Sequence, residues 1–297
     1  MCSLLKPFLA TGSVVRPQGI WPQMEFCNSL YKLLDSGEGL RLEQFGEVIL
    51  IRPALQALWK PKMPKEFWER AHARFSRDQK NQWEVLQSIP ATWEIVLEGI
   101  RLRLKRTDFG HLGVFPEHAR LWPWLCAQPI MGAKILNLFA YSGATTLALA
   151  KSGAEVSHLD AAKGMVQWAR ENAALNGLDK APIRWIVDDV RRYLARAQRR
   201  QEAYEGILLD PPSFGRGKSG EIFKIERDLP PILHACRALL AQRPLFVLFT
   251  CHTPSFTPLA MNQMVREVFA EGNIETGEMY IEGPCALPSG TFAKWTP

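Results

Sequence analysis

The sequence predicts an α/β protein in which a mostly parallel sheet, covered by helices on both faces, follows a smaller β-rich region. Two observations lead to this prediction. After about residue 130, apolar strand-like runs alternate with helical segments, whereas the earlier residues form short apolar runs separated by glycine turns. We therefore expect two domains, a β-rich N-terminal region with a linker helix at 1–125 and an α/β domain at 126–297.

Short strands are predicted at the start of the N-terminal region. Residues 30–53, "LYKLLDSGEGLRLEQFGEVILIRP", carry glycines between apolar runs, which is typical of strands joined by tight turns. In the next segment, "KPKMPKEFWERAHARF", Phe67, Ala71 and Phe75 recur at helical spacing and predict the linker helix. The segment "WEIVLEGIRLRLKRT" alternates instead, which predicts a single strand. We expect this region to contribute to substrate binding.

The second half of the chain alternates strand and helix. The predicted strands are, in order, KILNLF, AEVSHLD, IRWIVDD, YEGILLD and PLFVLFTC, and each is followed by a segment with helical spacing. Ligands of parallel sheets bind at the carboxyl ends of the strands, so the residues at those ends are candidate site residues. They are Ser142 and Gly143, Asp160, Asp188 and Asp189, Asp210, and Cys251.

Composition and charge exclude several classes of protein. The 297 residues are 47% hydrophobic and 22% charged, which is typical of a folded protein with a full core. No segment approaches the roughly 18 apolar residues of a membrane span, and the first apolar run is too short for a signal peptide. Six scattered cysteines without a CxxC pair argue against zinc and disulfides, and predict a cytoplasmic protein without a metal. The net charge of +6 is compatible with a polyanionic partner.

The turn after the first strand of the second half, "NLFAYSGATT", indicates the class of ligand. It has one glycine, Gly143, so it lacks the dinucleotide fingerprint, and no GK[ST] sequence is present for a nucleoside triphosphate. An acid at the second strand end (Asp160) suits two ribose hydroxyls, and one at the third (Asp189) suits an adenine amine. A carboxylate tail would face the helix N-terminus at Ala144. S-adenosylmethionine meets these demands, although Asp188 and Asp189 could instead cap the following helix.

Longer stretches carry a family resemblance. "ILNLFAYSGATTLALAKSGAEVSHLDAAKGMVQWARENAALNGL", "IVDDVRRYL" and "GILLDPPSFGRGKSGEIFK" resemble class I S-adenosylmethionine-dependent methyltransferases. More narrowly, they resemble the bacterial group that includes the large-subunit rRNA cytosine-C5 and guanine-N7 methyltransferases. "DSGEGLRLEQFGEVILI" is similar to the small β region ahead of the catalytic domain in that group. The chain departs from the group at Val114–Arg120, "VFPEHAR", where a Phe-Leu-Asp-Gln-Arg loop often stands.

The resemblance implies a Rossmann-like sheet, S-adenosylmethionine as cofactor, an RNA base as substrate, and a role for each strand end. It implies that the methionine part lies against Ala140, Tyr141, Ser142 and Gly143. It also implies that Asp160 holds the ribose, that Asp189 rather than Asp188 holds the adenine, and that Asp210, Pro211 and Pro212 line the substrate pocket.

The corner "DPPSFGRGKSG" is the candidate substrate site. Prolines remove backbone donors and fix φ, so they leave rigid carbonyl acceptors, while Asp210 can hold a ring N–H or an amine. Phe214 can stack on a base extruded from RNA, and Arg216 and Lys218 are the candidate phosphate contacts. A simple strand terminator and turn is the alternative interpretation of this corner.

Two runs of cations lie elsewhere. Arg101, Arg103 and Lys105 share one face of a predicted strand and are secondary candidates for RNA contact. A second run on one helical face is more typical of a solvated helix. Its members are Arg192, Arg196 and Arg199.

Cys251 in "LFTCHT" is the candidate nucleophile. Carbon 5 of cytosine becomes reactive when a thiolate adds to carbon 6, and the cytosine-C5 enzymes that this chain resembles use a cysteine at this strand end. The alternative is a buried strand cysteine, since free cysteine is among the most buried residue types. His252 is expected on the surface rather than as a base.

The first functional hypothesis is therefore methylation of an RNA base, with cytosine C5 favoured and a base nitrogen second. Methylation of a protein or small molecule is an alternative, as is a non-catalytic RNA-binding module on the same fold.

Overall fold

A mixed five-stranded sheet, in which only β3 and β4 pair in parallel, and a hairpin form the first part of the chain in the computed structural model, which describes residues 30–77, 81–216 and 222–297. A sheet in the order β1-β2-β3-β4-β5 precedes the β6–β7 hairpin. The bounds are β1 (Tyr31–Gly37), β2 (Leu40–Phe45), β3 (Val48–Pro53), α1 (Lys65–Trp68), β4 (Ala73–Ser76), β5 (Gln82–Val85), β6 (Thr92–Leu97) and β7 (Ile100–Lys105). The predicted β-rich region is confirmed.

The predicted linker helix is wrong over most of its length. Only four residues, Lys65–Trp68, are helical, and the segment then becomes β4, which pairs with β3 and β5. Phe75 is buried in this strand, whereas Phe67 is 41% exposed. Strand pairing therefore decides the conformation here, and the helical spacing of the apolar residues is coincidental.

The predicted single basic strand is a hairpin. Glu98 (φ 45°) and Gly99 (φ 74°) form a two-residue turn with both φ angles positive, which suits the twist of paired strands. Arg103 lies 3.4 Å from Glu94 and 3.9 Å from Glu171, so the basic face is partly neutralised. Lys105 Nζ lies 4.3 Å from the centre of the Trp168 ring.

Seven strands form the central sheet of the second half, in the order β10-β9-β8-β11-β14-β16-β15. The 3₁₀ helix Pro116–Leu121 and α2 (Trp122–Cys126) lead into it. The remaining bounds are β8 (Lys134–Leu138), α3 (Ala144–Lys151), β9 (Glu155–Asp160), α4 (Lys163–Leu175), β10 (Ile183–Val187), α5 (Val190–Arg199), β11 (Gly206–Leu209), β12 (Phe214–Arg216), β13 (Ile222–Lys224), α6 (Ile225–Ala238), β14 (Phe246–Cys251), α7 (Pro258–Val268), β15 (Asn273–Ile281) and β16 (Leu287–Thr296).

The strand order creates a crevice at one edge of this sheet. β8 pairs in parallel with β9 on one side and with β11 on the other, so the loops after β8 and β11 leave the sheet in different directions. Ligands of open α/β sheets bind at such a switch point. The predicted α/β class is confirmed, while the domain boundary at residues 125 and 126 stays a prediction.

Apolar residues fill both sides of the sheet. One core cluster joins Phe45 and Leu50 of the N-terminal sheet to Ile135 and Leu147 beside the central sheet. A second cluster lies under α5, α6 and α7 and contains Phe249. The first cluster continues from the N-terminal sheet into the second half, which fixes the two sheets around the crevice. None of the helices in the described ranges combines the length and apolarity needed to cross a membrane.

Candidate active site

The loop after β8 makes a sharp turn at the crevice. Phe139 (φ 56°) and Tyr141 (φ 52°) adopt positive φ values that are uncommon outside glycine, and Gly143 (φ 88°) follows them. A Cβ at Gly143 would lie 2.8 Å from the Cβ of Ala169, so only glycine lets this loop pack against α4. Gly143 is also the N-cap of α3, which has no side-chain cap.

Asp160, at the end of β9, holds this loop in place through hydrogen bonds to backbone amides. Its Oδ2 accepts a hydrogen bond from the Tyr141 amide at 3.0 Å, and its Oδ1 accepts one from the Ala162 amide at 2.8 Å. Burial raises the pKa of Asp160, and these two hydrogen bonds offset only part of that effect. A carboxylate has about four acceptor positions, so further donors can still bind here.

Asp189 and Asp188 have different surroundings. Asp189 caps α5, accepting from the amides of Arg191 at 3.0 Å and Arg192 at 3.3 Å. Its Oδ2 also accepts from the Arg191 guanidinium at 3.0 Å, and its side chain lines the crevice. The Asp188 carboxylate lies 2.6 Å from Arg196 instead. The capping role foreseen from the sequence thus belongs to Asp189, which is also the acid that lines the crevice.

Asp210 ends β11 on the other side of the switch point. Its Oδ1 accepts a hydrogen bond from Thr250 Oγ1 at 2.8 Å. Its Oδ2 lies 3.6 Å from His118 Nε2 and 3.7 Å from His252 Nε2. The two Nε2 atoms are 3.2 Å apart. Two histidines, His118 and His252, therefore lie beside the predicted substrate corner at Asp210, and neither was predicted there from the sequence.

The Val114–Arg120 segment brings one of these histidines to the site. Its 3₁₀ helix places His118 beside Asp210 and buries Glu117, which is only 4% exposed. Burial lowers the pKa of His118, and the nearby Asp210 charge offsets only part of that effect. In the sequence, this segment is marked by its difference from the Phe-Leu-Asp-Gln-Arg loop of the family. In this chain the segment at the position of that loop brings His118 and Glu117 to the walls of the two cavities.

His252 is not the surface residue that the sequence predicts. Its side chain is 30% exposed, and its Nδ1 lies 2.7 Å from the Ser289 carbonyl oxygen. Phe115 lies 5.2 Å from its ring. This packing fixes the His252 imidazole with Nε2 toward Asp210.

A large cavity of about 960 Å³ joins these groups. Its walls include Asp160, Asp189, Asp210, Tyr141, His252, Pro211 and Pro212, and residues of the N-terminal sheet. A smaller cavity of about 60 Å³ lies beside it and is lined by Ala140, Ser142, Thr250 and His118. Most of the predicted cofactor and substrate residues therefore line these two adjacent cavities, whereas Gly143 and Asp188 line neither and Phe214 is exposed at the corner.

Cys251 lies away from this crevice. It is fully buried in the core cluster that includes Phe249 and Met261, and it lines neither cavity. Burial raises the pKa of the Cys251 thiol, and a hydrogen bond from the Thr253 amide offsets only part of that effect. The geometry favours the buried strand cysteine over the nucleophile.

The two candidate phosphate contacts lie at the edge of what the structure describes. Arg216 ends β12, which pairs with β13. The Arg216 side chain and the whole of Lys218 lie outside the described residues.

Comparisons with known proteins agree with this geometry. The chain matches the profile of the family described as S-adenosylmethionine-dependent methyltransferase over residues 65–271. A SAM-dependent methyltransferase from Agrobacterium tumefaciens is 37% identical, with 90% of each chain covered and a TM-score of 0.85. The structure of SMU.776, solved in complex with SAH, has the same fold at 18% identity and a TM-score of 0.73, over 91% of this chain and 76% of that one.

Among curated proteins, the ribosomal RNA large subunit methyltransferase K/L of Vibrio cholerae is 32% identical over 162 residues, or 54% of this chain. This match covers 22% of that relative, so the chain spans about a fifth of its length.

Proposed function

The chain belongs to the S-adenosylmethionine-dependent methyltransferase family, and from that premise we propose that it methylates a nitrogen atom of an RNA base. The predicted family and cofactor are confirmed by the comparisons. The observation that carries the proposal is the position of Asp210. Its carboxylate faces the crevice, while the neighbouring strand presents Thr250 to it and turns Cys251 into the core.

The residues of the crevice fit the cofactor. Asp160 is a half-buried carboxylate that accepts hydrogen bonds from two backbone amides, and two ribose hydroxyls would occupy its remaining acceptor positions. Asp189 would receive the adenine amine, and the loop Ala140–Gly143 with the uncapped start of α3 would receive the methionine carboxylate. When bound, S-adenosylmethionine supplies an electrophilic methyl group.

A nitrogen acceptor agrees with the surroundings of Asp210. A base nitrogen with a lone pair can take a methyl group directly, whereas carbon 5 of cytosine first needs a nucleophile at carbon 6. The candidate for that nucleophile, Cys251, is buried with a raised pKa on the opposite face of the sheet. The cytosine-C5 hypothesis therefore becomes the alternative, and the base nitrogen becomes the favoured acceptor.

Asp210 would orient the base by accepting a hydrogen bond from one of its N–H groups. Thr250 fixes one carboxylate oxygen, which leaves the other to accept a hydrogen bond from a ring N–H or an exocyclic amine. Holding the acceptor in line with the methyl group would lower the barrier, because binding then meets the entropy cost of finding that geometry. Pro211 and Pro212 line the same wall and keep this corner rigid.

Exposed aromatic side chains would receive the unstacked base. Phe214 is 55% exposed beside the corner, and Phe109 is 72% exposed at the wall made by the N-terminal region. Bases taken out of RNA commonly stack on such rings. A role for the N-terminal region in substrate binding is therefore part of the proposal.

The RNA class of substrate is supported by charge and by relatives. The net charge is +6, and Arg41, Arg77 and Arg191 line the large cavity. Long-range attraction to phosphates is a general consequence of such a distribution. The curated relative from Vibrio cholerae is a ribosomal RNA methyltransferase, although this chain spans only 22% of it.

The test is transfer of a labelled methyl group from S-adenosylmethionine to separate RNA, protein and metabolite fractions. We expect label in RNA, and digestion to nucleosides should place it on an N-methylated base. Label confined to 5-methylcytidine would show that carbon 5 of cytosine, and not a nitrogen atom, accepts the methyl group. Label in protein or metabolites alone would contradict the RNA substrate.

A further inference from the structure

His118, Asp210 and His252 bring three metal-ligand atoms together between the two cavities. No other cluster of three such residues was found within the described ranges. We propose that this triangle binds a divalent transition-metal ion, of which Zn²⁺ is the representative. The scattered cysteines predict no metal site, but none of these three ligands is a cysteine.

The distances match metal coordination. The sides of the triangle are 3.2 Å between the two Nε2 atoms, 3.6 Å from His118 to Asp210, and 3.7 Å from His252 to Asp210. The point equidistant from the three atoms lies about 2.0 Å from each, which agrees with Zn–N and Zn–O bonds of about 2.0–2.2 Å. The two histidine rings are stacked with centres 5.3 Å apart, and their closest nitrogen atoms are the Nε2 atoms at 3.2 Å.

A second layer of hydrogen bonds prepares His252 as a ligand. Its Nδ1 donates to the Ser289 carbonyl oxygen at 2.7 Å, which leaves the Nε2 lone pair directed at the triangle. Glu117 Oε1 lies 3.7 Å from the same Nδ1, and Glu117 Oε2 is buried without a hydrogen-bond partner among the described residues. Metal-bound histidines are commonly held in this way by a carbonyl or a carboxylate.

The donor set selects the class of ion. Two imidazoles and one carboxylate suit Zn²⁺ and its transition-metal neighbours, whereas Mg²⁺ and Ca²⁺ prefer oxygen ligands alone. Three protein ligands leave a fourth position, as in zinc sites that keep one exchangeable ligand. Pro211 and Pro212 line the cavity beside this position.

Metal binding blocks the oxygen that the base needs. Asp210 Oδ2 is both the proposed hydrogen-bond acceptor for the base and the third metal ligand, so the two cannot bind together. The site thus makes the methyltransferase sensitive to inhibition by zinc. This consequence rests on the proposed function, whereas the binding of the metal does not.

Binding is tested with Co²⁺ as an optical probe for the Zn²⁺ site in the full-length protein. We expect one equivalent of Co²⁺ to give the visible absorption of a tetrahedral complex and Zn²⁺ to abolish it. His118→Gln and His252→Gln should each lose the band, whereas His234→Gln, on the exposed face of α6, should keep it. Unchanged SAH binding by the variants checks their fold.

A variant of an outer-shell residue distinguishes a preformed metal site from non-specific association of the metal. Glu117→Gln removes the carboxylate behind His252 and should weaken Co²⁺ binding about 10-fold to 100-fold, the usual effect of an outer-shell partner. A wild-type protein that shows no band with one equivalent of Co²⁺ overturns the proposal. So does a band that survives in both ligand variants.

Inhibition is tested separately. Zn²⁺ should lower methyl transfer with the same dissociation constant that its displacement of Co²⁺ gives after correction for the competing Co²⁺, and a chelator should restore the rate. SAH affinity should not change. A saturated metal site that leaves methylation intact contradicts the blocking effect, while absence of methylation under all conditions contradicts the proposed function and leaves the optical result valid.

Discussion

Thr250 and Cys251 are neighbours on β14, yet their side chains lie on opposite faces of the central sheet. Thr250 Oγ1 donates to Asp210 at 2.8 Å, whereas Cys251 belongs to the core under α6 and α7. Side chains alternate along a strand, so a residue one position away from the site cannot also face it. The methyl transfer proposed at Asp210 would therefore take place on the face of the sheet that carries Thr250.

Replacement of Cys251 tests on which face of the central sheet methyl transfer takes place. Cys251→Ala should keep near-normal methyl transfer and lose about 1 kcal/mol of unfolding free energy, because it removes only packing and the long Thr253 N–H···Sγ contact. Initial rates and urea denaturation measure the two effects. Loss of turnover with SAH binding intact, or covalent capture of wild-type protein by RNA containing 5-fluorocytosine, would restore the cytosine-C5 mechanism.

Neutralising Asp210 should have the opposite effect. Asp210→Asn keeps the shape but weakens a charge-assisted hydrogen bond of about 1.5–3 kcal/mol, so methyl transfer should fall about 10-fold to 100-fold. SAH affinity, measured by calorimetry, should stay within error. Thr250→Val should cause a smaller loss, because it releases only the oxygen turned away from the base. A fully active Asp210→Asn protein would place the substrate elsewhere.

Local patterns and the family resemblance were enough to predict much of the fold and the class of cofactor. Apolar runs with glycine and aspartate at their ends mark parallel strands and their carboxyl termini, and Gly143, Asp160 and Asp210 follow from that rule. The crevice joins these positions because β8 and β11 are adjacent, which is a property of the predicted fold.

The histidine cluster depends on tertiary contacts that no local pattern reports. His118 and His252 are separated by 134 residues, and they meet only because the 3₁₀ helix before β8 packs against the end of β14. The prediction of a linker helix was wrong for a related reason. Phe75 satisfies a helical spacing, but pairing of β4 with β3 and β5 determines its conformation.

The two acids after β10 can be separated by matched amide substitutions. Asp189→Asn keeps a good helix cap but places an amide donor where the adenine amine would donate, so SAH affinity should fall. Asp188→Asn should leave affinity nearly unchanged, because that carboxylate pairs with Arg196. Calorimetry on both variants is the measurement. The reverse order of effects would assign the adenine to Asp188.

The salt dependence of RNA binding distinguishes two basic segments. Arg216→Ala with Lys218→Ala should lower the slope of log affinity against log salt by about 0.7–0.9 per lost phosphate contact. Arg101→Ala with Arg103→Ala should change it little, because Glu94 already pairs with both arginines. Filter binding across a salt series gives both slopes. A change of slope only in the hairpin variant would place RNA on the β6–β7 face.

Glu43 in the N-terminal sheet gives a prediction about stability and pH. Its carboxylate is fully buried and accepts from Arg52 at 2.7 Å and from Tyr31 at 2.9 Å, with Arg41 at 3.1 Å. Burial alone would raise the pKa of Glu43, but the charges of Arg41 and Arg52 outweigh it and lower this pKa. Folding therefore favours the ionised form.

A lowered folded-state pKa determines the sign of the pH effect. The stability contributed by Glu43 is present above its unfolded-state pKa of about 4.3 and is lost as the pH falls through the lower folded-state pKa. Glu43→Gln leaves Arg52 buried without its partner and should cost about 3–5 kcal/mol near neutral pH. The deficit should begin to shrink below the unfolded-state pKa, because the unfolded wild type then takes up a proton that the folded Glu43 does not bind until the pH reaches its lower folded-state pKa. Glu69→Gln, in the exposed pair with Lys65, is the control and should cost less than about 1 kcal/mol. Urea denaturation from pH 3 to 7 provides the comparison, and an equal deficit at every pH would show that Glu43 contributes by shape and not by charge.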